Sequence, residues 1–238
     1  MSSPYEIEPT EKPITAVMDE FLVEQNDRLK PGTFSKYRSV VELFQHCMNG
    51  YASQWLDEEE QVFYDMLCDD MGSQYPEFCD VFGPEKIPQN VSEFLNYFMP
   101  RKVACGKELL RAAGTVTKKL GKWLVDRGYV EPEDGAGMSD KGARASKDLP
   151  DAERLEEMLV DYVSAYDDDA VEYVDGRFIV RMIGPESLAM EEMLDGSEAV
   201  VPVPRRAAEL CRPGWTISGC IGQFADGWRL VEIWNVYS

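Results

Sequence analysis

The chain is short of positive charge and of histidine. Its 238 residues carry 44 acidic against 24 basic side chains, which gives a formal net charge of −20, and its single histidine is His46. The summed field of such a protein repels polyanions, so any binding to nucleic acid or to an anionic membrane must be local. With 44% hydrophobic residues the chain still has enough apolar side chains to build a core, which excludes a fully disordered acidic protein.

The sequence also lacks the segments that direct a chain into or across a membrane. No apolar run approaches the roughly 20 residues that span a bilayer. Residues 1–13 contain three glutamates and three prolines and predict a flexible tail rather than a signal peptide. The six cysteines include no Cys-x-x-Cys pair and no pairing with histidine, so no metal site is predicted. We therefore expect a cytoplasmic protein with reduced thiols and no membrane partner.

Catalytic motifs are absent as well. There is no Gly-x-Ser-x-Gly, no His-Glu-x-x-His, no Walker loop and no dinucleotide fingerprint. Glu191 and Glu192 are adjacent in a predicted strand and point to opposite faces. Asp167, Asp168 and Asp169 are consecutive, which predicts an acidic surface loop rather than a cation site. We predict no catalytic residue, no cofactor and no metal; carboxylates brought together from distant parts of the chain remain the open alternative.

Composition divides the chain into two domains. Residues 14–130 show helical periodicity, and residues after 172 form short runs bounded by glycine and proline. Between them, residues 131–150 (EPEDGAGMSDKGARASKDLP) have almost no large apolar side chain, which is typical of a linker. The prediction is an α+β protein with a tail (1–13), a helical bundle (14–130), a linker (131–150) and a second domain (151–238) that opens with a helix over 151–166.

The helices of the first domain are marked by apolar residues at helical spacing. Pro31 and Gly32 end one helix and Thr33 begins another, while Gly128 ends the last. Glu58–Glu60 suit the first turn of a helix, because the dipole there favours negative charge. The predicted faces contain Ile14, Val17, Met18, Phe21 and Leu22; Tyr37, Val40, Val41 and Phe44; Trp55, Val62, Phe63, Met66 and Leu67; Val91, Phe94, Leu95 and Phe98; and Val116, Leu120, Trp123 and Leu124.

The second domain contains five runs of strand length. They are residues 177–184, 187–194, 198–204, 215–222 and 228–238. Asp195-Gly196 and Asp226-Gly227 lie between runs and are strong signals for hairpin turns. Five short strands in about 60 residues predict a small antiparallel β-barrel of the SH3-like or OB-like kind.

Two segments of the first domain resemble a known family. LKPGTFSKYRSVVELF (29–44) and TVTKKLGKWLVDRGYV (115–130) resemble the start of the second helix and the closing helix of the N-terminal core-binding, SAM-like domain of tyrosine recombinases and phage integrases. The resemblance covers about half of the chain and implies a helical bundle that grips the DNA backbone. It does not extend to catalysis, because recombination needs a tyrosine nucleophile with arginine and histidine beside it, and no His-x-x-Arg occurs here.

The resemblance makes the basic residues of these helices candidates for DNA contact. Residues 101–127 contain eight basic and two acidic side chains, so duplex DNA is the partner expected there. The candidates are Lys36, Arg38, Arg101, Lys102, Lys107, Arg111, Lys118, Lys119 and Lys122. The simpler alternative is that they are the solvated faces of amphipathic helices, since residues 14–130 sum to −5.

Large aromatic side chains of the barrel are candidates for binding a protein or peptide. They are Trp215, Trp228, Trp234 and Tyr237. Small barrels use exposed aromatics in this way, but a 60-residue barrel also needs aromatics in its core, and at least two of the four are expected there. The predicted function is a non-catalytic, DNA-associated or regulatory protein; the alternative is an acidic interaction or assembly protein that does not bind DNA.

Overall fold

A computed structural model describes residues 10–70, 76–163 and 170–238. The chain divides into two compact units, a helical unit (Met1–Ser146) and a sheet unit (Lys147–Ser238). The α+β class predicted from the sequence is confirmed, with helices first and an antiparallel sheet after them. Within the described ranges, no helix is both long enough and apolar enough to cross a membrane.

The helical unit is built from short and long helices joined by brief turns. They are α1 (Ile14–Arg28), α2 (Pro31–Tyr51), α3 (Glu58–Asp70), α4 (Phe78–Val81), α5 (Ile87–Glu93), α6 (Met99–Lys102), α7 (Lys107–Asp126) and the first part of α8 (Pro132–Val163). Two 3₁₀ turns (Ala52–Trp55 and Pro84–Lys86) and one π-helical turn (Phe94–Phe98) complete it. Helix α2 begins at Pro31, two residues before the expected start, because the fixed φ of proline suits the first helical position.

Helix α2 lies at the centre of this unit and contacts α1, α4, α5 and α7. Its Phe44 stacks on Phe94 at 4.5 Å between ring centroids. On α1, Phe21 packs edge-on against Trp123 of α7 at 5.4 Å, and both rings are almost fully buried. The helix predicted over residues 55–67 exists as α3, but Val62 and Met66 are exposed.

Helix α7 ends within the family-like segment 115–130, and backbone chemistry determines where it ends. Gly128 adopts a φ of +73°, its N–H donates to Val125, and the N–H of Tyr129 donates to Leu124. This is a Schellman motif, in which glycine occupies the left-handed position that ends a helix. Tyr129 then packs on Trp123 at 5.6 Å between centroids. The predicted stop at Gly128 is therefore confirmed.

The linker expected at residues 131–150 needs correction, because Pro132–Val163 form one helix, α8. Its Gly-rich face packs against α7 at backbone distance. A Cβ added to Gly142 would lie 2.5 Å from the backbone N of Lys118 and 2.6 Å from the carbonyl O of Gly114. Gly121 and Gly135 meet in the same way one heptad along. Small residues that suggested a linker are the ones that allow two helices to approach this closely.

The sheet unit contains five antiparallel strands. They are β1 (Glu172–Ile183), β2 (Ser187–Glu192), β3 (Glu198–Pro202), β4 (Thr216–Phe224) and β5 (Gly227–Tyr237), with a short helix α9 (Arg205–Leu210) between β3 and β4. Their order is β3-β2-β1-β4-β5, and the sheet curls into a half-barrel. The five predicted strands are thus confirmed, and Gly196 and Gly227 lie at positive φ in the two expected hairpin turns.

The core of this unit lies between the half-barrel and the second part of α8. Leu155 and Leu159 of α8 are fully buried among Phe178, Val180 and Ile217 of the sheet. The helix predicted over 151–166 corresponds to this part of α8 up to Val163. Residues 167–169, the three consecutive aspartates, lie outside the described residues.

Candidate nucleic-acid interface

Helix α7 is strongly amphipathic, and this property positions its basic side chains. Leu110, Leu120 and Leu124 are buried, whereas Arg111 and Lys118 are exposed. Residues three and four apart lie side by side on a helix, so the exposed residues form one stripe. The stripe contains Arg111, Thr115, Lys118, Lys119 and Lys122. From Arg111 to Lys122 it extends about 16 Å along the helix axis, at 1.5 Å per residue.

Three of the predicted lysines border one groove. The groove has a volume of about 350 Å³ and lies between the last turns of α7 and the first turns of α8. Its lining residues are Lys118, Lys119, Lys122, Val125, Asp126, Pro132, Gly135, Ala136 and Ser139; we call it the lysine groove. On the α8 side, Gly135 is buried against α7 and Ala136 is exposed. Among the described residues, no ion pair holds Lys118, Lys119 or Lys122.

Helix α8 fixes the position of this groove. The hydroxyl of Ser139 donates to the backbone O of Lys118 at 3.2 Å. Gly142, one turn further along α8 than Ser139, also lies in close contact with the backbone of Lys118. The backbone at Lys118 is therefore held by α8, while the side chains of the three lysines are exposed.

The other predicted basic residues do not join the groove. Lys36 of α2 lies 2.5 Å from Glu108 of α7, and this contact with Lys36 holds the pKa of the Glu108 carboxyl below its usual range. Arg38 lies 3.8 Å from Glu42 on its own helix. Glu108 therefore neutralises the charge of Lys36 near the start of α7, and Glu42 neutralises the charge of Arg38 on the same helix. Such exposed pairs are weak and can exchange for a phosphate.

The remaining candidates lie before or at the start of α7. Arg101 and Lys102 are exposed in α6, and Lys107 is half-buried at the first position of α7. The ammonium of Lys102 lies over the ring of Tyr97, 5.7 Å from its centroid. Arg111 is the candidate outside the groove that shares a face with the three lysines. The eight basic residues of 101–127 are therefore distributed over more than one surface.

The aromatic candidates of the sheet unit divide between core and surface. Trp215 is 4% exposed and lies in the core, so the structure removes it from the partner surface. Trp228 is half-buried and packs against the same core. Trp234 is 45% exposed, and its indole N–H donates to Glu232 at 3.0 Å. Tyr237 is half-buried, with the Arg177 guanidinium 6.0 Å from its ring centroid.

The carboxylates and possible metal ligands of the described ranges lie apart from one another. Within the described residues, no three histidine, cysteine or carboxylate side chains converge as metal ligands would. Glu191 and Glu192 point to opposite faces, as predicted: Glu191 pairs with Arg181 at 2.8 Å, while Glu192 is buried and accepts the N–H groups of Leu194 and Asp195. The buried carboxylate closes the β2–β3 turn.

No family model matches the chain, and no curated protein matches it.

The α8 half of the lysine groove is absent from the sequence-based candidates. Gly135, Ala136 and Ser139 belong to the segment interpreted as a linker. A signal for them exists in the spacing: Gly114 and Gly121, like Gly135 and Gly142, are seven residues apart. Glycines seven residues apart lie on the same face of a helix. This spacing in both segments is a signal for two closely packed helices.

Proposed function

We propose that the helical unit binds the backbone of duplex DNA through the lysine groove and Arg111. The observation that carries the proposal is the clustering of Lys118, Lys119 and Lys122 around one groove of an otherwise acidic protein, with no ion pair to a carboxylate among the described residues. Unpaired ammonium groups are available for phosphate oxygens without first breaking an internal contact.

The geometry of the stripe suits a nucleic-acid strand. Its length of about 16 Å corresponds to roughly five nucleotides along one strand at 3.4 Å each. Phosphate contacts of this kind position a protein without reading sequence. The function proposed is therefore non-catalytic attachment to DNA, in a DNA-associated or regulatory role.

The resemblance of segments 29–44 and 115–130 supports the same proposal. We propose that the helical unit is a core-binding-like, SAM-like domain and that the half-barrel is an SH3-like or OB-like domain. Trp234, with its large exposed ring on β5, is the candidate contact for a protein or peptide partner of the sheet unit. The six cysteines are free thiols in the structure, which is compatible with a cytoplasmic location.

Salt dependence tests the proposal. Four phosphate contacts, from Arg111, Lys118, Lys119 and Lys122, predict a slope of log affinity against log salt of about −3.6. Between about 50 and 200 mM salt the affinity for duplex DNA then falls about 150-fold. Fluorescence anisotropy of a labelled duplex, titrated with the full chain at both salt concentrations, measures this. Absence of binding at the lower concentration would support the alternative, an acidic interaction or assembly protein.

A further inference from the structure

The helical unit contains a second pocket, which shares no lining residue with the lysine groove. It has a volume of about 590 Å³ and lies where the end of α2 meets α6. Its walls contain His46, Tyr51, Phe98 and Lys102, and Leu43, Gly50, Val103 and Ala104 complete it. We call it the histidine pocket. The chain's one histidine, His46, therefore lies at the edge of this pocket.

The walls of the histidine pocket are aromatic and fixed by edge-to-face packing. The ring of Phe98 meets the ring of His46 at 5.8 Å and that of Tyr51 at 6.1 Å, with interplanar angles of 66° and 71°. Tyr51 also meets Tyr97 at 5.8 Å. Phe98 is 4% exposed, so the wall behind the pocket is part of the core. In front of it, His46 is exposed and Tyr51 is half-buried, so these two rings offer a preformed surface on which a flat ligand can stack.

A local change in helix type places Phe98 in the wall. Pro100 cannot donate a backbone hydrogen bond, and its ring clashes with the carbonyl four residues earlier in a regular α-helix. The chain widens instead into the π-helical turn Phe94–Phe98, in which the N–H of Met99 donates to the carbonyl O of Phe94. π-Helical turns occur frequently at functional sites.

The charge of the histidine pocket is unusual for this chain. Lys102 carries a positive charge at its rim, and none of the described residues that line the pocket is acidic, although the chain has 44 acidic side chains. The imidazole of His46 adds a hydrogen-bonding group. An aromatic wall beside a cation recognises a flat ring that bears a negative group.

The volume indicates a ligand larger than a single ring. A cavity of about 150 Å³ accommodates benzene, and the histidine pocket is about four times larger. It has room for a base, a sugar and a phosphate, and it lies within the range usual for small-ligand sites.

We propose that the histidine pocket binds a nucleotide unit, with the base stacked on the aromatic wall and the phosphate at Lys102. Two sources share this chemistry: a free nucleoside monophosphate and the 5′-phosphorylated end of a single DNA strand. The proposal does not depend on duplex binding by the lysine groove, because the two sites have no lining residue in common.

The single histidine provides a direct assay. Its imidazole Hε1 gives one proton NMR signal, observed in the full-length protein at constant pH. Added deoxyadenosine monophosphate shifts this signal saturably, whereas deoxyadenosine alone and inorganic phosphate alone, at the same concentration, shift it less. Lys102→Ala weakens the affinity about tenfold, as expected for the loss of one charge-assisted hydrogen bond. Tyr51→Leu weakens it as well, because the aromatic face is lost.

A matched control separates the loss of Lys102 from a general loss of positive charge. Lys30→Ala removes an exposed lysine at the opposite end of α2, away from both sites, and leaves the nucleotide response unchanged. A 5′-phosphorylated single strand that competes with deoxyadenosine monophosphate identifies a strand end as the ligand, and a strand that does not compete identifies the free nucleotide. A His46 signal unmoved by millimolar deoxyadenosine monophosphate, or an equal response to inorganic phosphate alone, overturns the proposal. So does an unchanged affinity in Lys102→Ala.

Discussion

Two alanine substitutions in α8 should have different effects on stability. Gly137 has no atom within 4 Å of the position of an added Cβ. Gly137→Ala therefore stabilises the helix by up to about 1 kcal/mol, because alanine has the higher helix propensity. Gly142→Ala has the same propensity gain, but its Cβ meets two backbone atoms, the N of Lys118 at 2.5 Å and the O of Gly114 at 2.6 Å.

The magnitude follows from that contact. Non-bonded heavy atoms rest at about 3.5–4.0 Å, so α7 and α8 must separate by about 1 Å to admit the methyl group. Overpacking of this kind costs about 1–3 kcal/mol. Propensity and the effect of alanine on the unfolded chain are common to both substitutions. The free energies of unfolding of the two variants should therefore differ by about 1–3 kcal/mol, with Gly142→Ala the less stable.

Urea unfolding followed by far-UV circular dichroism measures this difference. The urea midpoint of Gly137→Ala lies above that of the unmodified chain. The midpoint of Gly142→Ala lies below that of Gly137→Ala, and the slopes are similar. If residues 131–150 were an exposed linker, both substitutions would have the same small effect. Equal midpoints for the two variants would refute the close packing of α7 and α8.

Two further predictions concern buried groups. Glu192→Ala lowers the free energy of unfolding by about 2 kcal/mol, because the two backbone N–H groups that the buried carboxylate accepts at 2.6 and 3.0 Å lose their acceptor; an unchanged urea midpoint would contradict this role. Burial raises the pKa of the Cys47 thiol to about 12, so iodoacetamide at about pH 8 leaves Cys47 unmodified until the protein unfolds, as mass spectrometry can show. Since an unfolded thiol has a pKa near 8.5, the contribution of Cys47 to stability is present below about pH 8.5 and is lost as the pH rises towards 12.

The sequence predicted local structure well where backbone chemistry determines it. Asp195-Gly196 and Asp226-Gly227 mark turns because glycine reaches positive φ there, and Gly128 ends α7 for the same reason. The five strands follow from short apolar runs between such turns. These signals need no information from distant parts of the chain.

The sequence failed where burial depends on a distant partner. Residues 131–150 lack large apolar side chains, and the composition gives no sign that α7 lies against them at backbone distance. A second cause, irregular strand pairing, made the exposure of the aromatic residues in the sheet unit unpredictable. Register shifts lie between Ser218 and Gly219 and between Cys220 and Ile221 where β4 pairs with β5. A shift of one residue reverses which side chains face the core, so alternation along β5 does not predict which aromatics are exposed.

The candidate site was predicted in part. Lys118, Lys119 and Lys122 were among the nine basic candidates that the family resemblance indicated, and the structure brings these three together at one groove. The groove's other wall and the histidine pocket were not predicted, because both combine residues from separate helices. Helical spacing identifies one face of one helix and not the helix opposite to it.

We expect the lysine groove to bind DNA although the chain as a whole is acidic. Two triple variants test it directly, Lys118→Glu/Lys119→Glu/Lys122→Glu and the control Arg154→Glu/Arg205→Glu/Arg206→Glu. All six residues are exposed, and the control residues lie in the sheet unit. Both variants change the net charge equally, so their long-range repulsion of DNA is the same.

Fluorescence anisotropy with a labelled duplex at low salt compares the two variants with the unmodified chain. The unmodified chain and the control variant are expected to bind, whereas the groove variant is not. Circular dichroism should show both variants folded, because exposed charges contribute little to stability. Equal loss of binding in the two variants, or an unmodified chain that does not bind, would contradict the claim.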